Sequence, residues 1–275
     1  MNTSNTSYPT GHDRIQAAFA RARDENRSAL IVYLTAGFPD LETSKACFEA
    51  AVEAGADILE VGVPFSDPMM DGPVIQAANQ KVLDAGIRVA DQLALVESLE
   101  HLDVPKVVMT YVTIADTRGY ERFAAEVAES GCHGVILPDL PAPESGPWLQ
   151  AAAKHELATV FLASSVSADD RLDALTKVSS GWVYATGLLG VTGVRSVAQD
   201  VTEQLVGRLR ARTDLPIAVG IGVKDRESAA EVAAYADGVI VGSAVIRAAA
   251  DGDPATAPDR VRQLVSQLRE GVAAR

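Results

Sequence analysis

The chain is poor in the residues that hold small or externally stapled folds together. It has two cysteines, four histidines, two tryptophans and 5% aromatic residues in a length of 275. Cys47 and Cys132 cannot build a disulfide framework and have no metal-ligand spacing, so they read as small buried hydrophobes in a reducing, cytoplasmic setting. His12, His101, His133 and His155 fall on predicted helix ends or turns and form no metal constellation. No stretch approaches the ~20 apolar residues of a membrane span. No basic tract offsets the excess of 37 Asp+Glu over 24 Lys+Arg, a net charge of −13, which argues against nucleic acid and anionic membrane surfaces as partners. The first eleven residues are rich in Ser, Thr and Asn rather than basic and then apolar, unlike a signal peptide. A Gly-x-Ser-x-Gly elbow and a Walker loop are also absent. What is there is 48% apolar and 22% charged, the composition of a soluble globular protein able to bury a large core.

Short β-branched runs alternate with longer amphipathic stretches from end to end. The strand-like runs are Ala29–Ala36, Ile58–Val63, Lys106–Thr110, Gly134–Leu137, Ala158–Leu162, Trp182–Ala185, Ile217–Gly220 and Gly238–Val241. Most lack polar/apolar alternation, as parallel strands covered on both faces do. Helical patterns lie between them: Leu41–Ala54, Val74–Leu83 with Val89–His101, Tyr120–Ser130, Ser145–His155, Asp169–Val178, Val201–Arg212 and Arg226–Ala234. One apolar stripe (Ile15, Ala18, Phe19, Ala22) precedes the first strand, and another (Val261, Leu264, Val265, Leu268) follows the last. A weak echo of helix end, tight turn and apolar strand recurs at Ala54, Ser130 and Tyr235. Eight βα units without a linker-like break predict an α/β fold, a (β/α)₈ TIM barrel with an extra N-terminal helix and a short extra helix after strand 8. An open doubly wound sheet satisfies the same pattern, because strand order is not written in the sequence. The expected layout is a flexible tail over residues 1–12 and a single barrel domain over 13–272.

A barrel of this kind carries its site on the loops after the strands. Glu60 is the one ionisable group inside the second apolar run, Asp57-Ile-Leu-Glu-Val-Gly-Val-Pro64. A lone buried carboxyl must be paired, hydrogen-bonded or held with a raised pKa, and the last suits proton transfer near neutral pH. Few cations are available to pair with it, since Lys106 sits at the wrong end of its strand. The next loop reaches Asp71-Gly-Pro73. Asp71 reads equally as a helix cap before Gly-Pro and as a second carboxyl sharing acid and base duties with Glu60. Gly220-Ile-Gly222 ends the seventh strand, and Gly242-Ser243 ends the eighth ahead of the short helix Ala244–Ala250. Glycines and a helix N-terminus at those strand ends form the standard barrel location for a phosphate. The run from Thr186 to Arg195, with its glycines, suits a lid or an ordinary surface loop.

The unbroken block from Leu59 through Glu60, Pro64-Phe-Ser-Asp-Pro-Met-Met-Asp71 to Gln76 resembles the signature of the tryptophan synthase alpha chain family. The likeness continues in Thr35-Ala-Gly-Phe-Pro39, Ile136-Leu-Pro-Asp-Leu-Pro141, Gly190-Val-Thr-Gly193, Gly220-Ile-Gly222 and Val241-Gly-Ser243, in consistent order from about Ile15 to Leu268. The resemblance implies a carbon–carbon lyase that splits indole-3-glycerol phosphate into indole and glyceraldehyde 3-phosphate by a retro-aldol reaction. It implies Glu60 as general acid/base, Asp71 at the indole N–H, and Tyr184 and Tyr111 orienting the carboxyls. Tyr33, Met109, Tyr111 and Ile136 would wall the indole, with Thr192 on the lid. Gly193, Gly222, Gly242 and Ser243 would hold the phosphate. No cofactor or metal is implied. The implied partner is a tryptophan synthase beta chain in an α₂β₂ tetramer, met by the Pro64–Asp71 loop and residues 111–117. Thr113 and Gly187-Leu188 depart from the family pattern in the partner-facing and lid segments. A stand-alone lyase releasing free indole fits the same residues, and loss of cleavage on Glu60→Gln would separate both from a non-catalytic subunit.

Overall fold

The computed structural model describes residues 10–187, 195–220 and 222–273. Within them eight parallel strands close into a barrel in sequence order, which removes the open-sheet alternative. The chain enters through α1 (Gly11–Asp24), then β1 (Ala29–Thr35), α2 (Leu41–Glu53), β2 (Ile58–Gly62), α3 (Pro73–Asp84) and α4 (Val89–Glu97). It continues with β3 (Lys106–Met109), α5 (Val112–Arg118), α6 (Tyr120–Glu129), β4 (Gly134–Ile136), α7 (Gly146–Lys154), β5 (Ala158–Ser164) and α8 (Asp169–Val178). It ends with β6 (Val183–Thr186), α9 (Arg195–Arg210), β7 (Ile217–Val219), α10 (Arg226–Ala233), β8 (Gly238–Val241), α11 (Ser243–Ala250) and α12 (Ala257–Val272). The described helix α1 takes in Gly11 and His12, which the sequence places in the tail; residues 1–9 lie outside the described residues.

The two faces of each strand feed two cores, as a period of two requires. Ile31, Ile58, Val107, Ile136, Val160, Trp182, Ala218 and Ile240 point into the barrel and form one cluster. Leu30, Val32, Leu59, Val61, Val108, Val183, Val219 and Val239 point outward and pack under the helix ring. Ile15, Ala18, Phe19 and Ala22 of α1 join the inner cluster, with the Phe19 ring 6.2 Å from that of Trp182. The extra N-terminal helix therefore plugs the barrel at the starts of the strands. A nearly buried ion pair sits at that end too: Arg27 donates to both Asp57 carboxylate oxygens at 2.6 and 2.8 Å, and Asp57 also accepts from the Leu30 amide. The opposite end, where the strands finish, is left to the loops.

Three elements differ from the sequence reading. α5 follows β3 after only Thr110 and Tyr111, and its seven residues are too few to show a helical period. α9 begins at Arg195, six residues before its expected start. α4 stops at Glu97 and the chain turns through His101. Among the described residues no helix is long and apolar enough to cross a membrane, and no group of three His, Cys, Asp or Glu side chains could hold a metal ion.

Candidate active site

Strand parity decides which side chains reach the site. Glu60 is two residues beyond Ile58, so it faces the barrel interior one layer above that apolar floor, level with Tyr33 on β1 in the strand register. Two further residues on, Gly62 carries no side chain, and the space is taken by the Tyr33 phenol. A Cβ at Gly62 would lie 2.2 Å from the Tyr33 hydroxyl. The same device recurs across the barrel, where a Cβ at Gly220 would lie 2.2 Å from the Tyr184 hydroxyl. Gly62 at the end of β2 and Gly220 just after β7 thus leave room for two tyrosine phenols at the barrel mouth.

Glu60 is 1% exposed, and its Oε2 has no hydrogen-bond partner. An unpaired buried carboxyl resists ionisation, and burial, with the Asp71 charge adding to it, pushes its pKa up to about 8. Asp71 is pushed up by burial to about 6, against hydrogen bonds from Tyr111 and Asn79 that hold it down. The helix-cap reading of Asp71 is not what the structure contains. The residue at the start of α3 is Gly72, with no side-chain cap, and the Asp71 carboxylate instead accepts from Asn79 Nδ2 at 3.0 Å. Asn79 accepts in turn from Thr35 Oγ1 at 3.2 Å, which lies 3.3 Å from the Tyr33 hydroxyl. A polar chain therefore runs from β1 through α3 to the loop. That loop is also pinned by the Met70 amide, which donates to the Tyr111 hydroxyl at 2.9 Å. The Phe65 ring stacks on Tyr111 with centroids 5.2 Å apart.

These groups open onto a cavity of about 440 Å³ whose lining includes Tyr33, Glu60, Asp71, Met109, Tyr184 and Ile240 together with Gly222, Gly242 and Ser243. Its size suits a small organic molecule. Gly222 is in the left-handed region at φ +68°, and α11 starts at Ser243 without a side-chain cap, so its first-turn amides are free for an anion. A 90 Å³ annex between Leu162 and Thr186 shares Met70, Met109 and Tyr184 with this cavity.

Most of the expected site residues meet here, and some do not. Ile136 is fully buried in the inner cluster, opposite the cavity-lining Met109 in the strand register, and is not itself part of the cavity wall. Tyr111 stands behind the loop, touching Met70 and Asp71 rather than the cavity. Thr192 and Gly193 lie outside the described residues. Sequence reasoning missed Asn79, whose signal was a polar side chain on the buried face of α3, and it missed Lys224 and Arg247 on the cavity wall.

A closed eight-stranded barrel with an unpaired acid facing a glycine-and-helix anion pocket defines a barrel enzyme doing proton-transfer chemistry on a phosphorylated substrate. Comparison with known proteins specifies which. The family model described as "Tryptophan synthase alpha chain" matches residues 19–273. The tryptophan synthase alpha chain of Streptomyces avermitilis is 49% identical over 255 residues, 92% of each chain. A crystal structure of tryptophan synthase from M. tuberculosis superposes with a TM-score of 0.86 at 42% identity, covering 94% of this chain and 98% of that one. The tryptophan synthase subunit alpha of Legionella pneumophila superposes at 0.84 with 32% identity, covering 94% and 98%. The chain belongs to the tryptophan synthase alpha chain family. It is accordingly a lyase of tryptophan biosynthesis, whose reaction is the cleavage of indole-3-glycerol phosphate and whose partner is a tryptophan synthase beta chain.

Proposed function

We propose that Glu60 moves the protons of this cleavage while Asp71 holds the indole nitrogen. The neutral Glu60 carboxyl donates its proton to the indole carbon that bears the glycerol chain, leaving a positively charged indolenine. Asp71, ionised, accepts the N–H hydrogen bond and stabilises that charge. The Glu60 carboxylate then takes the proton of the adjacent side-chain hydroxyl. The carbon–carbon bond breaks, its electron pair returns to the ring, and indole and glyceraldehyde 3-phosphate separate. Glu60 ends as it began, so the step balances without a cofactor. Tyr184 lies across the cavity and orients the acid pair. Tyr33 and Met109 wall the indole, and Tyr111 sets the loop that carries Asp71. Gly222, Gly242 and Ser243 take the phosphate, together with Gly193, and Thr192 covers the substrate. The observation that carries this reading is the unpartnered, buried Glu60 in a cavity whose wall also includes an uncapped helix start.

We place the enzyme in the cytoplasm, in keeping with two buried free cysteines, and in an α₂β₂ assembly. Release of indole from indole-3-glycerol phosphate by the purified chain tests the reading. We expect slow turnover alone and stimulation of about ten-fold or more on adding a beta chain, as when a partner orders mobile catalytic loops. Fast unassisted release would favour the stand-alone lyase, and no release in either condition would end the proposal. Gly220→Ala tests the tyrosine placement. The new methyl displaces the Tyr184 phenol, so kcat is expected to fall about ten-fold while circular dichroism and Tm stay close to wild type.

A further inference from the structure

Beyond the two acids, the cavity wall carries two cations that the mechanism leaves unused. Lys224 follows β7 two residues after Gly222, Arg247 lies on α11, the helix that Ser243 begins, and both line the cavity. Neither side chain has an ion-pair or hydrogen-bond partner among the described residues. That is unexpected in a chain with a net charge of −13, where carboxylates are in excess and Arg27, Arg118, Arg208, Arg212 and Arg262 are all paired.

Their placement is built rather than incidental. The backbone beside Lys224 is fixed by the capping box of α10: the Lys224 and Asp225 amides donate to Ser228 Oγ at 3.0 and 3.1 Å, and the Ser228 amide donates to Asp225 Oδ1 at 2.9 Å. Arg247 stands four residues after Ser243, so the two share a face of α11, and helical side chains lean back toward the N-terminus. A cation in the last turn of a helix can serve the C-terminal carbonyls instead, but this guanidinium bonds to none of them and lines the cavity.

We infer that Lys224 and Arg247 are specificity-determining residues that hold the charge of a dianionic phosphate ester and set which way round the substrate enters. The inference rests on the function proposed above and adds to its backbone cradle. The cavity is then segregated along its length, with acids where the indole reacts and bases where the phosphate ends. Amides and a helix dipole can bind many anions; two cations on the cavity wall, carried by different elements, favour a doubly charged one. An otherwise acidic surface repels such a substrate, and this pair reverses the sign where it enters.

The test uses Lys224→Met, Arg247→Met and the double variant of the full chain in complex with a beta chain, with kinetics on indole-3-glycerol phosphate. sn-Glycerol 3-phosphate serves as the calorimetric probe of the phosphate end. Each single change is expected to raise KM about five-fold, and the pair about twenty-fold, with kcat within about two-fold. The Kd of glycerol 3-phosphate should weaken in parallel, kcat/KM should lose part of its salt dependence, and Lys224→Arg with Arg247→Lys should restore most of the affinity. Wild-type KM and glycerol 3-phosphate affinity in the double variant would overturn the inference, as would a loss carried by kcat. Failure of the wild-type complex to cleave the substrate would instead overturn the function itself. Both side chains are exposed, so unfolding is not expected, and Tm checks it.

Discussion

Glu60→Gln is expected to lower kcat for indole-3-glycerol phosphate cleavage by about 10³-fold or more while changing KM little. Glutamine keeps the shape of the side chain and its place beside Tyr33 and Tyr184 but has no proton to give the ring and cannot take one from the hydroxyl. Because the acid acts twice in one turnover, both steps stop. The substrate is held chiefly at its phosphate and by the walls, which the change leaves alone. A fall of less than ten-fold would move the proton chemistry elsewhere, and Asp71 would be the next group to consider. The same substitution has a signature in stability. The folded protein raises the Glu60 pKa from 4.5 to about 8, so in that window it holds a proton that the unfolded chain has lost. The stabilisation is complete below about 4.5 and disappears as pH rises toward 8. Urea unfolding of wild type should therefore weaken by a few kcal/mol across that range, and Glu60→Gln should show a flatter dependence. Asp71 contributes in the same direction over the narrower window from 3.8 to about 6.

The fold was largely legible because parallel strands buried on both faces announce themselves as unbroken apolar runs. Position 60 could be assigned to the interior by counting from Ile58. What the residues could not convey was closure. That depends on β8 pairing with β1, Ala29 opposite Gly238, and nothing local to either strand encodes it. The short helix α5 was invisible for a related reason: its seven residues hold their place through a contact from another loop, the Asp139 carboxylate accepting from the Val112 amide at 2.8 Å.

The site was legible where chemistry conflicts with burial, and opaque where it depends on convergence in space. Glu60 stood out as a charge in an apolar strand. Asp71 had two readings that spacing alone could not separate; a partner eight residues away, Asn79, separates them. Ile136 is the reverse case. It stands opposite the cavity-lining Met109 in the strand register yet is fully buried, a difference that strand order alone does not convey. Lys224 and Arg247 are ordinary surface residues along the chain and become a pair only because both line one cavity.

Asp71→Asn should cost about 10²- to 10³-fold in kcat/KM, because a neutral amide cannot balance the charge that appears on the indole nitrogen. Its pH profile is more diagnostic than the loss. The productive free enzyme carries Glu60 protonated and Asp71 ionised. With Asp71 at about 6 and Glu60 at about 8, wild-type kcat/KM should rise through pH 6, peak near 7 and fall through 8. Removing the Asp71 carboxyl removes the acid limb of kcat, where the phosphate is already bound; in kcat/KM the second ionisation of the substrate phosphate, at about 6, remains. It also removes a negative charge that pushes the Glu60 pKa up, so the alkaline limb should move to lower pH. The variant should thus be weak, flat in kcat on the acid side and earlier to decline on the alkaline side. Were the alkaline limb to stay in place, the two carboxyls would not sense each other, and Asp71 would be reduced to a packing group for Asn79. Were the acid limb of kcat to persist, some other group would hold the indole nitrogen.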